Sequence, residues 1–304
     1  MRVVSLLPAA TEIVAALGLT DELVGVSHDC DFPPSVGEKP RVTACEIAGA
    51  EVPSDRVHDW VSDRLSRQEP LFTLEEKQLA ALQPDLILTQ SLCAVCAPPY
   101  DRVATLAVKL PGRPKVLNLE ASTLEQILET IRQVADALSV PERGVQLVQI
   151  LRERIARVRR TAEQSAHRPR VAVLEWLNPV FCSGHWTPEL VDIAGGVEVL
   201  GQKGRPSVQK TWQDVRAAAP DLLIIACCGQ SAARALRDWA RLKQQPEVES
   251  IPAVQESRVY LVDGRAYFNR PGPRIVDSLE ILAEILHPEL FGGWFPDRGR
   301  VRPG

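Results

Sequence analysis

Two thiols at Cys93 and Cys96 form the only Cys-x-x-Cys pair in this sequence. This spacing supports either thioredoxin-like redox chemistry or half of a metal site. Because no second pair exists, the other ligands of a metal would have to come from distant positions. The candidates for those positions are His28, Cys30, Cys45, Cys182 and His185. The pattern therefore favours packed or pocket-lining thiols, with a metal site and a redox site as alternatives.

Motifs of known catalytic machinery are absent from the sequence. We find no G-x-S-x-G elbow, no P-loop, no H-E-x-x-H and no G-x-G-x-x-G after a strand. Of the five histidines, only His28 and His185 fall in loops that are expected to face a cleft. The sequence therefore predicts a protein that is not an enzyme and requires no cofactor.

Two aromatic-rich segments are better suited to binding. The segment 175–186 holds two of the six tryptophans, and the segment 264–274 combines aromatic side chains with arginine. Aromatic faces can line a pocket or pack inward, and arginine donates in a fork to carboxylate, amide or phosphate groups. We expect both segments to be pocket walls. Their candidate ligand-binding residues are Trp176, Phe181, Trp186, Tyr267, Phe268, Asn269 and Arg270.

A third candidate surface is the segment 8–12, which we place in the loop between the first strand and its helix. Backbone N–H groups at the start of a helix favour an anionic or polar ligand group, which makes Pro8 and Ala9 candidate contacts. The alternative is that Thr11 and Glu12 simply cap the helix.

The elements that position these segments occur twice along the chain. Short apolar runs predicted as strands alternate with helical patterns, and each run of the first half has a partner in the second half. The pairs are 2–6 with 170–174, 84–88 with 220–225, and 115–119 with 258–262. Strands separated by helices predict parallel sheets with crossover helices, and two such series predict two Rossmann-like α/β lobes.

Between the two series, the segment 141–167 has apolar residues close to a 3.6-residue period. It predicts one long spacer helix, with a ligand cleft between the lobes. The predicted organisation is therefore an N-terminal lobe over 1–140, a spacer over 141–168, a C-terminal lobe over 169–291 and a poorly ordered tail over 292–304.

Composition excludes several classes of protein. The chain has 304 residues, of which 45% are hydrophobic and 24% charged, and its net charge is −4. This net negative charge does not favour binding to the phosphate backbone of nucleic acid. No apolar run in the sequence is long enough for a transmembrane helix. Seven cysteines, with Cys227 and Cys228 adjacent, do not suit a disulfide framework and favour a reducing compartment. We expect a monomer.

Four stretches together resemble a known family: Arg2-Val3-Val4-Ser5-Leu6-Leu7-Pro8-Ala9-Ala10-Thr11-Glu12, Pro84-Asp85-Leu86-Ile87-Leu88, Asn178-Pro179-Val180-Phe181 with Ser183-Gly184, and Phe268-Asn269-Arg270-Pro271-Gly272-Pro273-Arg274. From Arg2 to about Phe291, the chain is similar to the ABC-transporter substrate-binding proteins for cobalamin and ferric chelates, most of all to the cobalamin-binding branch. The resemblance implies two lobes joined by one long helix and a corrinoid held between them. It implies contacts from Pro8, Ala9, Phe181 and the segment 267–270, an ABC permease as partner, and a periplasmic or cell-surface location.

This sequence differs from the family pattern in three respects. A tryptophan that the resemblance implies in the ligand site is replaced by Cys45. The carboxylates that would dock on the permease fall at Lys77 and Gln213, although Glu75, Glu76 and Asp214 lie beside them. The chain as given begins without an export signal, which by itself predicts a cytoplasmic location.

Three functions follow as alternatives. The first is binding of cobalamin, with His28, His185 or a thiol as a possible cobalt ligand. The second is binding of a ferric siderophore or haem. The third is a cytosolic thiol or metal-binding protein that uses Cys93 and Cys96.

Overall fold

The computed structural model describes residues 1–47, 52, 54–92, 97–294 and 300–301. The chain divides into two compact units. The first unit comprises Met1–Val52, Arg56–Ala121 and Glu125–Gln149, and the second comprises Pro53–Asp55, Ser122–Leu124 and Ile150–Gly304. Within the described residues, no helix has both the length and the apolar character needed to span a bilayer.

The described part of the first unit has six strands: β1 (Val3–Ser5), β2 (Leu23–Val26), β3 (Thr43–Ala44), β4 (Thr73–Leu74), β5 (Leu86–Thr89) and β6 (Lys115–Asn118). Four of them form a parallel sheet in the order β2-β1-β5-β6, while β3 and β4 pair antiparallel. The central strands β1 and β5 are fully buried, as expected for apolar runs in a sheet covered on both faces.

Helices connect these strands or follow the last of them. They are α1 (Pro8–Ala16), α2 (Ser54–Ser66), α3 (Glu76–Leu82), α4 (Tyr100–Ala107) and α5 (Leu124–Ala137), followed by α6 (Pro141–Ala162). The sheet and the helices α3 and α4 enclose an apolar core that includes Val4, Leu79, Ile87 and Val103. As predicted, Gly18 stops the first helix. Its φ of 74° is a backbone conformation that residues with a side chain rarely adopt.

The second unit has seven strands: β7 (Arg170–Leu177), β8 (Val180–Cys182), β9 (Val197–Glu198), β10 (Gln209–Lys210), β11 (Leu222–Ile225), β12 (Val259–Val262) and β13 (Arg300–Val301). Their order is β10-β8-β7-β11-β12-β13, with β9 also paired to β7. The strands β7, β9, β11 and β12 are parallel, β8 and β13 run antiparallel to them, and β10 pairs antiparallel with β8.

The predicted parallel sheet is present in the second unit as β7, β9, β11 and β12, with the antiparallel strands β8 and β13 added at its edges. The two residues Asn178 and Pro179 join β7 to β8, and a connection this short can only return the chain antiparallel. Residues 300–301 pair with β12 as an edge strand.

The second unit's helices are α7 (Thr187–Ile193), α8 (Trp212–Ala217), α9 (Ala232–Leu242), α10 (Pro246–Glu249), α11 (Pro252–Gln255), α12 (Ile275–Leu286) and α13 (Pro288–Phe291), with a π-helical turn over Gly264–Phe268. Its core brings Leu174, Trp212, Ile225 and Trp239 together. The long helix α6 is present but ends at Ala162 rather than near His167, and the boundary between the units falls within it.

One hydrogen-bond pattern is repeated in both units, as the paired sequence segments predict. The backbone N–H of Arg2 donates to the carboxylate of Asp85 at 2.7 Å, and that of Arg170 donates to Asp221 at the same distance. Each aspartate precedes a central strand, β5 or β11, and the arginine precedes or begins its neighbour. The repeated Pro-Asp therefore fixes how the two strands start relative to each other.

Candidate ligand-binding surfaces

Pro8 and Ala9 lie at the carboxyl end of β1, but not in a loop as predicted. Pro8 begins α1, and Leu7 is the N-cap residue. Proline suits the first helical position because its φ is already helical and the missing N–H has no partner there anyway. Pro8 is half-buried and Ala9 is buried, so only Pro8 is partly accessible.

The predicted cap residues Thr11 and Glu12 lie inside α1, and no side chain caps that helix. The hydroxyl of Thr11 instead donates to Ser5 at 2.8 Å and lies 3.0 Å from the thiol of Cys30. Ser27 lies 3.2 Å from the same thiol. Cys30 is thus a packed thiol that ties α1 to the segment after β2.

His28 follows β2, at the same carboxyl edge of the first sheet. Its Nδ1 lies 2.7 Å from the hydroxyl of Thr43, which also accepts the His28 backbone N–H at 3.0 Å. Its Nε2 lies 3.5 Å from a carboxylate oxygen of Asp29, and the ring packs near Phe72. A metal could therefore bind His28 only by displacing one of these neighbours. Cys45 lies close by in sequence, half-buried after β3.

The other metal candidates of the first unit, Cys93 and Cys96, lie outside the described residues. Among the residues that are described, no three His, Cys, Asp or Glu side chains are grouped so that they could hold a metal ion. The thiols of Cys182 and Cys227 are buried, and burial raises the pKa of both above the usual range of a cysteine. Such thiols pack as apolar groups and react poorly.

In the second unit, Trp176 and Phe181 lie on neighbouring strands rather than in a loop. Trp176 is in β7, Phe181 is in β8, and the two are paired across the hairpin. Both are half-buried, and the indole N–H of Trp176 donates to the carbonyl of Asn178 at 3.1 Å. A cross-strand aromatic pair on a hairpin is a stiffer platform than a loop, because both backbones are hydrogen-bonded.

The aromatic residues Trp186 and Phe268 pack inward. Their side chains are 6% and 1% exposed, and the indole N–H of Trp186 donates to the carbonyl of Phe268 at 3.0 Å. The predicted stacking surface at Phe268 is therefore wrong for this structure, because the ring fills the core. Its partner Tyr267 is half-buried, and the guanidinium of Arg274 lies 5.3 Å from the centre of its ring.

Asn269 and Arg270 complete this turn. The side-chain amide of Asn269 donates to the carbonyls of Ala226 and Gly264, at 3.2 and 3.1 Å. These bonds fasten the turn to the end of β11. Arg270 is 5% exposed, so in this structure most of its surface is covered.

His185 is held by its backbone in a left-handed conformation, with φ at 51°. Its N–H donates to the carbonyl of Arg205 at 2.6 Å, and its carbonyl accepts the N–H of Gly204 at 2.7 Å. The imidazole Nδ1 is buried and has no hydrogen-bond partner among the described residues. Burial lowers the pKa of this histidine. A neutral ring with an unbonded nitrogen is the form that binds metals.

Two glutamates of this unit, Glu175 and Glu198, were not predicted from the sequence. Glu175 accepts the N–H of Gly184, and Glu198 accepts the hydroxyl of Ser183. A carboxylate flanked by apolar residues inside a strand pattern, as in Val197-Glu198-Val199, was the available signal.

The candidate docking carboxylates are all exposed. Glu75 and Glu76 stand at the start of α3, and Asp214 is in the first turn of α8. Asp214 accepts both the backbone N–H and the hydroxyl of Thr211 at 2.8 Å, and these bonds lower the pKa of its carboxyl. The two helices occupy matching places, before β5 and before β11.

Comparisons with known proteins agree with this architecture. The chain is 25% identical over 286 residues to the vitamin B12-binding protein of Vibrio cholerae, covering 94% of this chain and 88% of the relative. It is 26% identical over 288 residues to that of Salmonella typhimurium, covering 94% and 90%.

Two solved structures have a similar fold. The apo form of the periplasmic heme-binding protein of a Roseiflexus species matches with a TM-score of 0.71 and 23% identity, covering 95% of this chain and 98% of that one. The periplasmic vitamin B12-binding protein of Vibrio cholerae matches with a TM-score of 0.68 and 23% identity, covering 94% and 96%. A model of the family described as periplasmic binding protein matches residues 3–266. The chain therefore belongs to this family of non-enzymatic substrate-binding proteins of transporters.

Proposed function

We propose that this protein binds a corrinoid, cobalamin, and delivers it to an ABC permease. The observation that carries the proposal is the similarity, over 94% of the chain, to relatives that are named vitamin B12-binding proteins. The site chemistry supports it. A corrin is a broad, flat ring edged with amides, which suits aromatic faces and hydrogen-bonding side chains. Trp176, Phe181 and Tyr267 of the second unit would provide the faces.

Haem or a ferric chelate is the second candidate. It is favoured by the similarity of the fold to periplasmic heme-binding proteins, with TM-scores of 0.70 to 0.71. The corrinoid is the better proposal because those likenesses are at 22 to 23% identity, whereas the sequence relatives carry the corrinoid name.

His185 is the better of the two histidine candidates for an axial ligand to the metal centre. His28 already has neighbours at both ring nitrogens, whereas Nδ1 of His185 has none among the described residues but is buried, so its covering neighbours must move before a metal can reach it. An axial histidine would replace water on aquocobalamin but would compete poorly with the cyanide of cyanocobalamin.

The test is a calorimetric and absorbance titration of the reduced protein with aquocobalamin, cyanocobalamin and hemin. Tight one-to-one binding of both cobalamins supports the corrinoid. A spectral shift with the aquo form that is lost in His185→Gln, but kept in His28→Gln, supports the axial ligand. Binding of hemin alone would replace the corrinoid by haem.

The thiol alternative is tested separately, by metal analysis of freshly purified protein. Stoichiometric zinc or iron that disappears on changing Cys93 and Cys96 to Ser would favour a metal-binding protein. Delivery to a permease would use the carboxylates of Glu75, Glu76 and Asp214. Their conversion to lysine should abolish uptake while leaving cobalamin affinity unchanged.

A further inference from the structure

One edge of β7 changes its partner halfway along the strand. Near its start, at Arg170 and Val171, β7 pairs with the parallel strand β9. From Leu174 onward it pairs with the antiparallel strand β8. Between these two ladders, Val173 has no strand beside it on this edge, so its backbone groups need other partners.

The side chain of Glu198 fills that gap. Its Oε2 accepts the N–H of Val173 and the hydroxyl of Ser183, both at 3.2 Å. Its Oε1 accepts the N–H groups of Leu200 and Gly201, both at 2.9 Å. The carboxylate therefore accepts four hydrogen bonds, and its Oε2 takes the place of the carbonyl oxygen that a neighbouring strand would have offered to the N–H of Val173. The carbonyl of Val173 accepts the N–H of Ser183 at 2.8 Å.

Glu175 makes a second link a few residues along the same strand. Its Oε1 accepts the N–H of Gly184 at 3.2 Å, and its Oε2 accepts the hydroxyl of Ser207. The chain is closely packed here, because a Cβ at Gly184 would collide with the backbone of Ser207 and one at Gly201 would collide with Ser183. The segments 183–185 and 200–207 therefore cross in direct contact.

We propose that Glu175 and Glu198 are positioning residues: they lock the segments 183–185 and 200–207 into one arrangement and so preorganise Phe181 and His185 for the ligand. The role in binding rests on the proposed function, but the locking does not. Preorganisation raises affinity because the ordering is complete before the ligand arrives. Phe181 stands two residues before Ser183, and His185 is the last residue of the locked segment.

The two glutamates respond differently to the same substitution. In Glu175→Gln, the remaining oxygen can still accept from Gly184, and the new amide can donate to Ser207, whose hydroxyl can reverse its role. In Glu198→Gln, either orientation of the amide places its NH₂ against a backbone N–H, which cannot reverse. Glutamine should therefore be tolerated at position 175 and disruptive at position 198.

The experiment compares Glu175→Gln, Glu175→Ala and Glu198→Gln with Glu247→Gln, a matched exchange at an exposed position of the same unit. Amide hydrogen exchange over 173–207 is measured in each protein, together with aquocobalamin affinity. We expect wild-type behaviour from Glu175→Gln and Glu247→Gln. The other two should exchange faster in 183–185 and 200–207 and bind about tenfold more weakly, a change that corresponds to about 1.4 kcal/mol.

Equal behaviour of Glu175→Gln and Glu175→Ala, or wild-type exchange in Glu198→Gln, would overturn the locking. Should Glu198→Gln fail to fold, Ser183→Ala and Ser207→Ala decide, because each removes one donor and should speed exchange in its own segment. Wild-type exchange in both would equally overturn the proposal. Absence of corrinoid binding in the wild type would refute the proposed function alone, because the exchange pattern is read without ligand.

Discussion

Replacing Arg154 by leucine should destabilise the second unit substantially. The guanidinium of this α6 residue donates from Nε to Glu280 at 2.9 Å and from Nη2 to the other oxygen of Glu280 at 2.6 Å. Nη2 also donates to Asp277 at 2.5 Å. The side chain of Glu280 is 2% exposed, so removing the arginine leaves a charged group buried on α12 without its fork of donors, with Arg157 still 3.7 Å from it.

The magnitude follows from this burial. Removing one partner of a fully buried ion pair costs about 3–5 kcal/mol. Arg154 and Asp277 are 28% and 18% exposed, so solvent screens part of the interaction and we expect about 2–4 kcal/mol here. Since each kcal/mol shifts the melting temperature of a unit of this size by about 2–4 °C, Tm should fall by about 4–16 °C.

The assay is urea unfolding followed by far-UV circular dichroism, with Arg160→Leu as the control. Arg160 stands on the same helix and is exposed, so its exchange should change the unfolding free energy by less than about 0.5 kcal/mol. A third variant, Arg154→Lys, keeps the charge but loses the fork and should fall between the two. If Arg154→Leu lay within error of Arg160→Leu, the reasoning from burial would be wrong.

Three further predictions concern single groups of the second unit. Burial raises the pKa of Glu198 in the folded protein. Its contribution to stability is therefore complete below the ordinary glutamate pKa of about 4.3 and is lost as pH rises through the pKa of the folded state. The unfolding free energy of the wild type relative to Glu198→Gln should fall with rising pH, and an increase would contradict this prediction. Cys228 is half-buried, whereas Cys227 is buried and its burial raises the pKa of its thiol. A thiol reagent should therefore label Cys228 much faster than Cys227 in the native protein, as measured by mass spectrometry. Equal labelling rates would mean that the end of β11 opens readily. Trp186→Phe keeps an aromatic side chain but removes the donor to the carbonyl of Phe268 and one ring of a buried indole, and should cost at least about 1 kcal/mol in chemical unfolding, whereas no change would show that water replaces the bond and fills the space.

The sequence predicted the repeated framework well, for physical reasons. The strands β5 and β11 begin where the Pro-Asp dipeptides indicate, since proline stops the preceding helix and the aspartate accepts a backbone N–H of the neighbouring strand. Both were continuous apolar runs, which a buried parallel strand requires. Local composition was therefore sufficient to identify them.

The contacts of side chains could not be predicted in the same way. Trp186 and Phe268 are 82 residues apart, and only the fold shows that they hydrogen-bond and pack inward. Trp176 and Phe181 were predicted to lie in a loop. In the structure they lie on two strands that are joined by a turn of only two residues, Asn178 and Pro179, and so short a turn was not recognised in the sequence. The spacing of apolar residues predicts which face of an element is buried, but it does not show whether a given aromatic side chain fills the core or lines a pocket.

The two units share a framework but differ in the segment that follows the first strand of each unit. In the first unit, the segment after β1 passes directly into α1, whereas in the second it first forms the hairpin that carries Trp176 and Phe181. That hairpin interrupts the pairing of β7, and the carboxylate of Glu198 compensates for the interruption. Where the hairpin interrupts the ladder, a buried carboxyl group thus completes the backbone hydrogen bonds. For this reason we expect substitutions at Trp176 and Phe181 to alter ligand choice with little effect on folding, whereas replacing the carboxyl group of Glu198 should loosen the framework that supports them.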